Sequence, residues 1–112
     1  MFSSIWNFLK KAAAAFWNAV KRLWRAVVNF IANVVGYFKS LVLDRKKHKP
    51  FVADMSRMKA EIRNAPVKDC GIFEGVYNEE TDELEHCQII EAERLDDKTK
   101  EVLGNDPLVV LC

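Results

Sequence analysis

The pattern of apolar and polar positions in the first 44 residues repeats every eleven residues. Asn7, Asn18 and Asn29 occupy the same position in three successive copies, and Ser40 takes that position in a fourth. Eleven residues make three helical turns at about 3.67 residues per turn, which is close to the α-helical period. The pattern therefore predicts one long amphipathic helix over residues 1–44, with a polar arc of roughly a third of its circumference.

The apolar side of this predicted helix is unusually large. Residues 1–44 contain no proline and one glycine, Gly36, so the sequence marks no clear break. A helix of about 40 residues is about 60 Å long, and the rest of the chain is too short to cover it. We therefore expect a partner outside the chain to bury this side. The expected binding face comprises Phe2, Ile5, Trp6, Leu9, Phe16, Trp17, Val20, Leu23, Trp24, Val27, Val28 and Ile31.

Charge also divides the chain into two unlike parts. Residues 1–68 carry 14 Lys and Arg against 3 Asp and Glu, a net charge of +11. Residues 69–112 carry 3 Lys and Arg against 13 Asp and Glu, a net charge of −10. Such a basic segment favours an anionic partner, for example lipid headgroups or the acidic half of a second copy. The expected basic face comprises Lys10, Lys11, Lys21, Arg22, Arg25, Arg45, Lys46, Lys47 and Lys49.

The second half of the chain has the patterns of short helices and strands. Pro50 disfavours helix at the residue before it, so residues 45–53 are expected to form a basic connector. Asp54 then suits the N-terminus of a second, short helix that Pro66 ends. After this helix, apolar residues recur at every second position, which is the pattern of a β-strand. The expected elements are a helix over 54–64, strands over 71–77 and 84–92, a helix from 96 or 97 to 103, and a last strand over 108–111.

These elements predict an α+β protein. It consists of a long N-terminal amphipathic helix (1–44), a basic connector (45–53) and a small acidic α+β head (54–112). The head combines the short second helix with a ββαβ unit. A ββαβ unit of about 45 residues has a small core, so we expect it to gain stability by packing on a helix or on another copy.

Residues typical of catalytic and metal sites are sparse. His86, Cys87 and Cys70 would need Cys112 as a fourth zinc ligand, and no Cys-x-x-Cys pair occurs. The acidic turn at 79–83 lacks the glycine of a calcium loop. No nucleophile with a base and no phosphate-binding glycine loop is apparent. The sequence therefore predicts no enzyme, no metal, no cofactor and no small-molecule substrate.

These patterns favour a non-enzymatic interaction protein, cytoplasmic and peripheral at a membrane. Its N-terminal helix would bind an anionic membrane surface and perturb it or oligomerise there. The alternative is a self-assembling structural subunit of an oligomer, filament or particle, in which the helices pack against copies of themselves. Nucleic acid is disfavoured as a partner, because residues 1–43 hold only 6 Lys and Arg within a continuous apolar face.

Overall fold

A five-stranded sheet with helices on both faces forms the centre of this protein. A computed structural model describes residues 2–62 and 65–111, without the side chain of Phe2. The mixed architecture confirms the predicted α+β class. In chain order the elements are α1 (Phe2–Lys11), α2 (Ala14–Ala19), β1 (Lys21–Val28), a π-helix (Phe30–Val35), α3 (Gly36–Lys39), β2 (His48–Asp54), α4 (Met55–Glu61), β3 (Gly71–Asn78), β4 (Glu83–Leu95), α5 (Asp97–Leu103) and β5 (Leu108–Val110).

The strands lie in the order β1-β4-β3-β2-β5. β1 runs parallel to β4, whereas the other three pairings are antiparallel. Because β2 and β4 are both antiparallel to β3, they begin at the same end of the sheet. The segments that precede them, residues 40–47 and residues 79–82, therefore lie at that end. β1 and β5 form the two edges.

The prediction of one long N-terminal helix is wrong. α1 ends at Lys11 after 10 residues, Ala13 is extended, and α2 ends at Ala19. Residues 21–28 then form β1, paired along its length with β4. Aromatic and β-branched residues such as Trp24, Val27 and Val28 fit a strand at least as well as a helix. The ladder hydrogen bonds and packing of the sheet therefore outweigh the helical period of this segment.

The first two helices pack on one face of the sheet together with α4. Ile5 and Leu9 of α1 are fully buried, and the ring of Trp17 packs edge-on against Phe73 with centroids 5.7 Å apart. Six residues of the expected binding face are thus covered by the chain itself, contrary to the expectation of an outside partner for them. They are Ile5, Trp6, Leu9, Trp17, Val20 and Val28.

The π-helix, α3 and α5 cover the opposite face. Phe30 and Val34 pack with Val52, Ile72, Ile90 and Leu103 in a second core cluster. The side chain of Asn29 begins the π-helix, because its Oδ1 accepts a hydrogen bond from the Ala32 N–H at 2.9 Å. Asp96, at the end of β4, accepts a hydrogen bond from the Phe30 N–H at 3.0 Å. These contacts direct the π-helix and α3 across the sheet towards the end where β2 begins.

The expected connector over 45–53 contains strand β2. This strand lies between β3 and β5, and Phe51, Val52 and Ala53 are fully buried. The pairing of β2 with β5 extends only as far as Phe51, and beyond it the Pro50 carbonyl oxygen still accepts the Leu111 N–H, so the nitrogen of Pro50 lies past the paired part of β2. Proline, which lacks an N–H, is tolerated in strands at such positions. Of the basic residues of the expected connector, Lys49 therefore lies in the sheet, whereas Arg45, Lys46 and Lys47 precede it.

The C-terminal elements appear in the predicted order. α4 begins after Asp54, whose Oδ1 accepts a hydrogen bond from the Ser56 N–H at 3.0 Å. The end predicted for this helix, at residues 63 and 64, lies outside the described residues. β3, β4, α5 and β5 then form the predicted ββαβ succession. Gly71 begins β3 with φ 142°, and a Cβ there would lie 2.1 Å from the Ile90 carbonyl oxygen.

Candidate functional site

Large apolar side chains that remain exposed mark the candidate site. Among the described residues, Trp24 is 58 % exposed, Ile31 64 % and Val42 98 %. All three lie in the basic part of the chain, and the described residues of the acidic part, 69–111, hold none. Singly exposed apolar residues are common on proteins. Their restriction to the basic segment is the informative observation.

Val42 lies in a loop that we name the basic loop, residues 40–47. Asp44 organises this loop. Its carbonyl oxygen accepts a hydrogen bond from the His48 N–H at 2.7 Å, and its own N–H donates to His48 Nδ1 at 2.8 Å. Its Oδ1 accepts from the Lys46 N–H at 2.9 Å. Asp44 and His48 thus close a turn that leaves the Val42 side chain in solvent.

The cations on and beside the basic loop lack acidic partners. Among the described residues, no carboxylate forms an ion pair with Lys39, Arg45, Lys46, Lys47 or Lys49. Lys49 Nζ instead donates to the Arg45 carbonyl oxygen at 3.0 Å. These charges are therefore available to an anionic partner.

An open groove of about 790 Å³ lies next to the basic loop, between α3 and the adjoining ends of β2 and β5. We name it the basic groove. Phe38, Leu41, Leu43 and Leu111 provide apolar walls, and the side chains of Lys39, Arg45 and Lys49 also line it. None of the described residues that line the groove is acidic. A second cavity, of about 480 Å³, has mixed charge: Lys10 there faces Glu61 and Asp106.

The turn between β3 and β4, residues 79–82, lies beside the basic loop; we name it the acidic turn. The Glu79 N–H donates to the Lys47 carbonyl oxygen at 2.8 Å. Within the turn, Asn78 Oδ1 accepts from the Glu80 and Thr81 N–H groups at 3.0 and 3.2 Å. Tyr77 donates to Asp82 Oδ1 at 2.5 Å. The acidic turn is thus stabilised by its own hydrogen bonds.

A buried carboxyl group lies under this region. Glu74 of β3 is fully buried, and its Oε2 accepts a hydrogen bond from Gln88 Nε2 at 2.5 Å. Its Oε1 has no hydrogen-bond partner among the described residues. Burial raises the pKa of Glu74 to about 8, so the group is mainly protonated at neutral pH. Burial also raises the pKa of Tyr37 in α3 to about 12, with a further contribution from Glu74.

The structure separates the predicted basic face into three regions. Lys10 and Lys11 lie exposed at the end of α1, and Lys21, Arg22 and Arg25 lie exposed on the edge strand β1. Arg22 Nη1 lies 3.6 Å from Oε1 of Glu91 in β4. The third region, residues 45–49, adjoins the basic groove. Of the remaining predicted apolar contacts, Phe16, Leu23 and Val27 are half-buried, Trp24 and Ile31 are exposed, and the side chain of Phe2 lies outside the described residues.

Sequence reasoning missed the residues that build the basic groove. The eleven-residue pattern places Phe38, Lys39, Leu41 and Leu43 at the end of the long helix and not in a binding face. A signal was present, because Leu41-Val42-Leu43 directly precedes the basic run at 45–49.

Within the part of the chain that the structure describes, no three His, Cys, Asp or Glu residues are grouped so that they could hold a metal ion. None of the helices in residues 2–62 and 65–111 has the length and apolar character needed to cross a bilayer. Comparison with protein-family models, with curated proteins and with solved structures finds no match to this chain.

Proposed function

We propose that this protein binds an anionic membrane surface as a peripheral, cytoplasmic protein, and that the basic loop makes the contact. The supporting observation is Val42, which is 98 % exposed next to the unpaired cations Arg45 and Lys46. An aliphatic side chain flanked by cations suits the boundary between acyl chains and anionic headgroups. The thiols of Cys70 and Cys87, which form no disulfide, suit a reducing compartment.

The expected strength of this contact is modest. Burial of one valine side chain contributes about 1.5 kcal/mol, and each cation near an anionic leaflet contributes about 1 kcal/mol. Val42 with Arg45, Lys46 and Lys47 would thus give about 4–5 kcal/mol, which corresponds to a Kd of about 1 mM or somewhat below. Binding of this strength is reversible and weakens as salt screens the charges.

Vesicle flotation tests the proposal. The protein is mixed with phosphatidylglycerol–phosphatidylcholine vesicles or with pure phosphatidylcholine vesicles, at low and at high salt. We expect it to float with the anionic vesicles at low salt and to be released at high salt. Equal flotation with both vesicle types, or none with either, would contradict the proposal.

The variant for this test must lie in the basic loop. Trp17, although it is in the expected binding face, is only 4 % exposed and packs on Phe73. A charge at Trp17 would unfold the core and would report nothing about binding. Arg45 and Lys46 are exposed, so their substitution leaves the core intact.

A second candidate function, self-assembly, is favoured by the position of β1. This strand of 8 residues forms a sheet edge and pairs only with β4 among the described strands. Open edges of this length are templates for strand addition by another chain. Light scattering coupled to size-exclusion chromatography, without lipid, tests this candidate: a mass that rises with protein concentration supports it, and a monomer at every concentration refutes it.

A further inference from the structure

The basic groove combines apolar walls with cations in a way that fits one class of ligand. We infer that it binds a single-chain anionic amphiphile, with the alkyl chain on the apolar walls and the anionic head on Arg45 and Lys39. This inference rests on the proposed function, because a lipid surface is the natural source of such a molecule. It adds that the protein recognises individual amphiphiles as well as the surface.

One apolar wall of the groove packs against the core of the protein. Phe38 and Leu111 pack against the second core cluster, which contains Val34 and Val52. The opposite wall comes from Leu41 and Leu43 of the basic loop. The groove is therefore built without a ligand, and an alkyl chain entering it would lose its contact with water at little cost in protein reorganisation. Its volume of about 790 Å³ lies within the range typical of small-molecule sites.

The cations of the groove determine which head group the amphiphile must carry. Lys39, Arg45 and Lys49 line the groove, and no described carboxylate forms an ion pair with any of the three. An anionic head would thus meet positive charge without displacing an existing partner. A guanidinium group binds a carboxylate or phosphate in two parallel hydrogen bonds, which makes Arg45 the main candidate for the head.

An extended peptide is a poorer fit to the same surface. Strand addition needs free backbone groups, but at the end of β2 that lines the groove the carbonyl oxygen of Pro50 already accepts the Leu111 N–H at 2.7 Å. Pro50 has no N–H to offer. The polar backbone of an extended segment would therefore lie unpaired against the apolar walls, whereas an alkyl chain has no such groups.

Decanoate and decanol, which share one alkyl chain length, provide the test. Each is titrated below its micellar concentration into the isotopically labelled full chain, and amide NMR shifts are followed. We expect saturable shifts at Phe38, Leu41 and Leu111 with decanoate, and at least tenfold weaker binding of decanol. No saturable shift at these residues, or equal affinity for the two compounds, would overturn the inference.

A pair of matched variants separates the groove from general charge effects. Arg45→Gln should weaken decanoate binding by about tenfold through loss of a charge-assisted hydrogen bond. Arg57→Gln, on the exposed surface of α4, should leave it unchanged. Equal effects of the two variants, or groove shifts that depend only on protein concentration and so indicate a second copy as the occupant, would refute the inference.

The groove and the membrane contact can fail separately. Decanoate binding without vesicle flotation would refute the proposed membrane function and leave the amphiphile site standing. Flotation without decanoate binding would refute the amphiphile site alone.

Discussion

The basic loop and the acidic turn lie side by side at one end of the sheet, yet they are built differently. In the acidic turn the side chains of Asn78 and Asp82 engage neighbouring hydrogen-bonding groups, and residues 79–82 contain no apolar side chain. In the basic loop a few hydrogen bonds around Asp44 fix the backbone, while Val42 and the cations have no partner within the described chain. The turn exposes only polar and charged side chains, whereas the loop exposes an apolar side chain together with cations.

The difference shows that charge alone does not identify a binding surface. Both segments are strongly charged and exposed, but only the loop combines charge with exposed apolar area beside a groove. Such a combination is unfavourable in water and favourable at a lipid boundary. The four experiments below test whether the two segments differ in this way, in order of decreasing expected effect.

The largest expected effect is on the pH dependence of stability, and it arises from Glu74. This residue lies beneath α3, the helix that leads into the basic loop. Its pKa of about 8 is above the ordinary glutamate value of 4.5, so the folded state holds the proton more tightly than the unfolded state. The free energy of unfolding should therefore fall as pH rises from about 4.5 to about 8, by at most about 1.4 kcal/mol per pH unit, and then level off. Urea unfolding at several pH values measures this slope.

Glu74→Gln provides the control for that slope, because glutamine keeps the neutral form at every pH. The variant should lose the Glu74 contribution to the pH dependence and should be more stable than the wild type above pH about 8. Identical slopes in the two proteins would show that Glu74 does not carry the effect. Amide exchange should place the alkaline loosening in α3 and the basic loop, with the acidic turn unchanged.

Charge reversal in the basic loop should have the next largest effect. Arg45→Glu with Lys46→Glu removes two attractive charges and adds two repulsive ones, each worth about 1 kcal/mol near an anionic leaflet. We expect affinity for anionic vesicles to fall by about three orders of magnitude. Arg57→Glu with Lys68→Glu changes the net charge equally at exposed sites outside the loop and should have a small effect. Similar losses in both double variants would mean that only net charge matters.

Removal of the apolar tip should have a smaller effect. Val42→Ser deletes the exposed aliphatic group without changing charge, and we expect about tenfold weaker vesicle binding from the loss of about 1.5 kcal/mol. Because Val42 is 98 % exposed, the melting temperature should not change. Thr81→Ser in the acidic turn is the matched control. If Val42→Ser binds vesicles like the wild type, the contact is purely electrostatic.

The smallest expected effect arises from the acidic turn itself. Glu79→Gln with Glu80→Gln removes two negative charges beside Lys47, and affinity for anionic vesicles should rise by about threefold at low salt. The gain should disappear at high salt, because the interaction is screened. Flotation across a salt series measures both the gain at low salt and its loss at high salt. An unchanged low-salt affinity would show that the turn lies away from the membrane surface.

The sequence predicted the fold of residues 54–112 well, since the elements there depend on local signals. Asp54 and Asp96 accept hydrogen bonds from backbone N–H groups at the starts of their helices, and Gly104 ends α5. β3 and β4 form a hairpin of neighbouring segments, so their pairing requires no distant partner. In this half, local chemistry and tertiary structure favour the same result.

The basic half was predicted wrongly because its structure depends on distant contacts. The eleven-residue period of residues 1–44 is real, but β1 forms by pairing with β4, and Trp17 is buried by Phe73. Periodicity cannot reveal such partners, since a helix and a strand both tolerate Trp24, Val27 and Val28. The basic run at residues 45–49 was recognised, but the groove beside it depends on Leu111, which is remote in sequence.

The parallel pairing of β1 with β4 also affects the order in which this chain becomes structured. Lys21 pairs with Gln88, and Val28 with Leu95. During synthesis, residues 21–28 therefore emerge well before their partner strand exists, and such long-range pairings form slowly. In that interval the apolar residues later covered by the sheet are exposed to water, chaperones and any nearby bilayer. The newly made chain and the finished protein thus present different apolar surfaces to their surroundings.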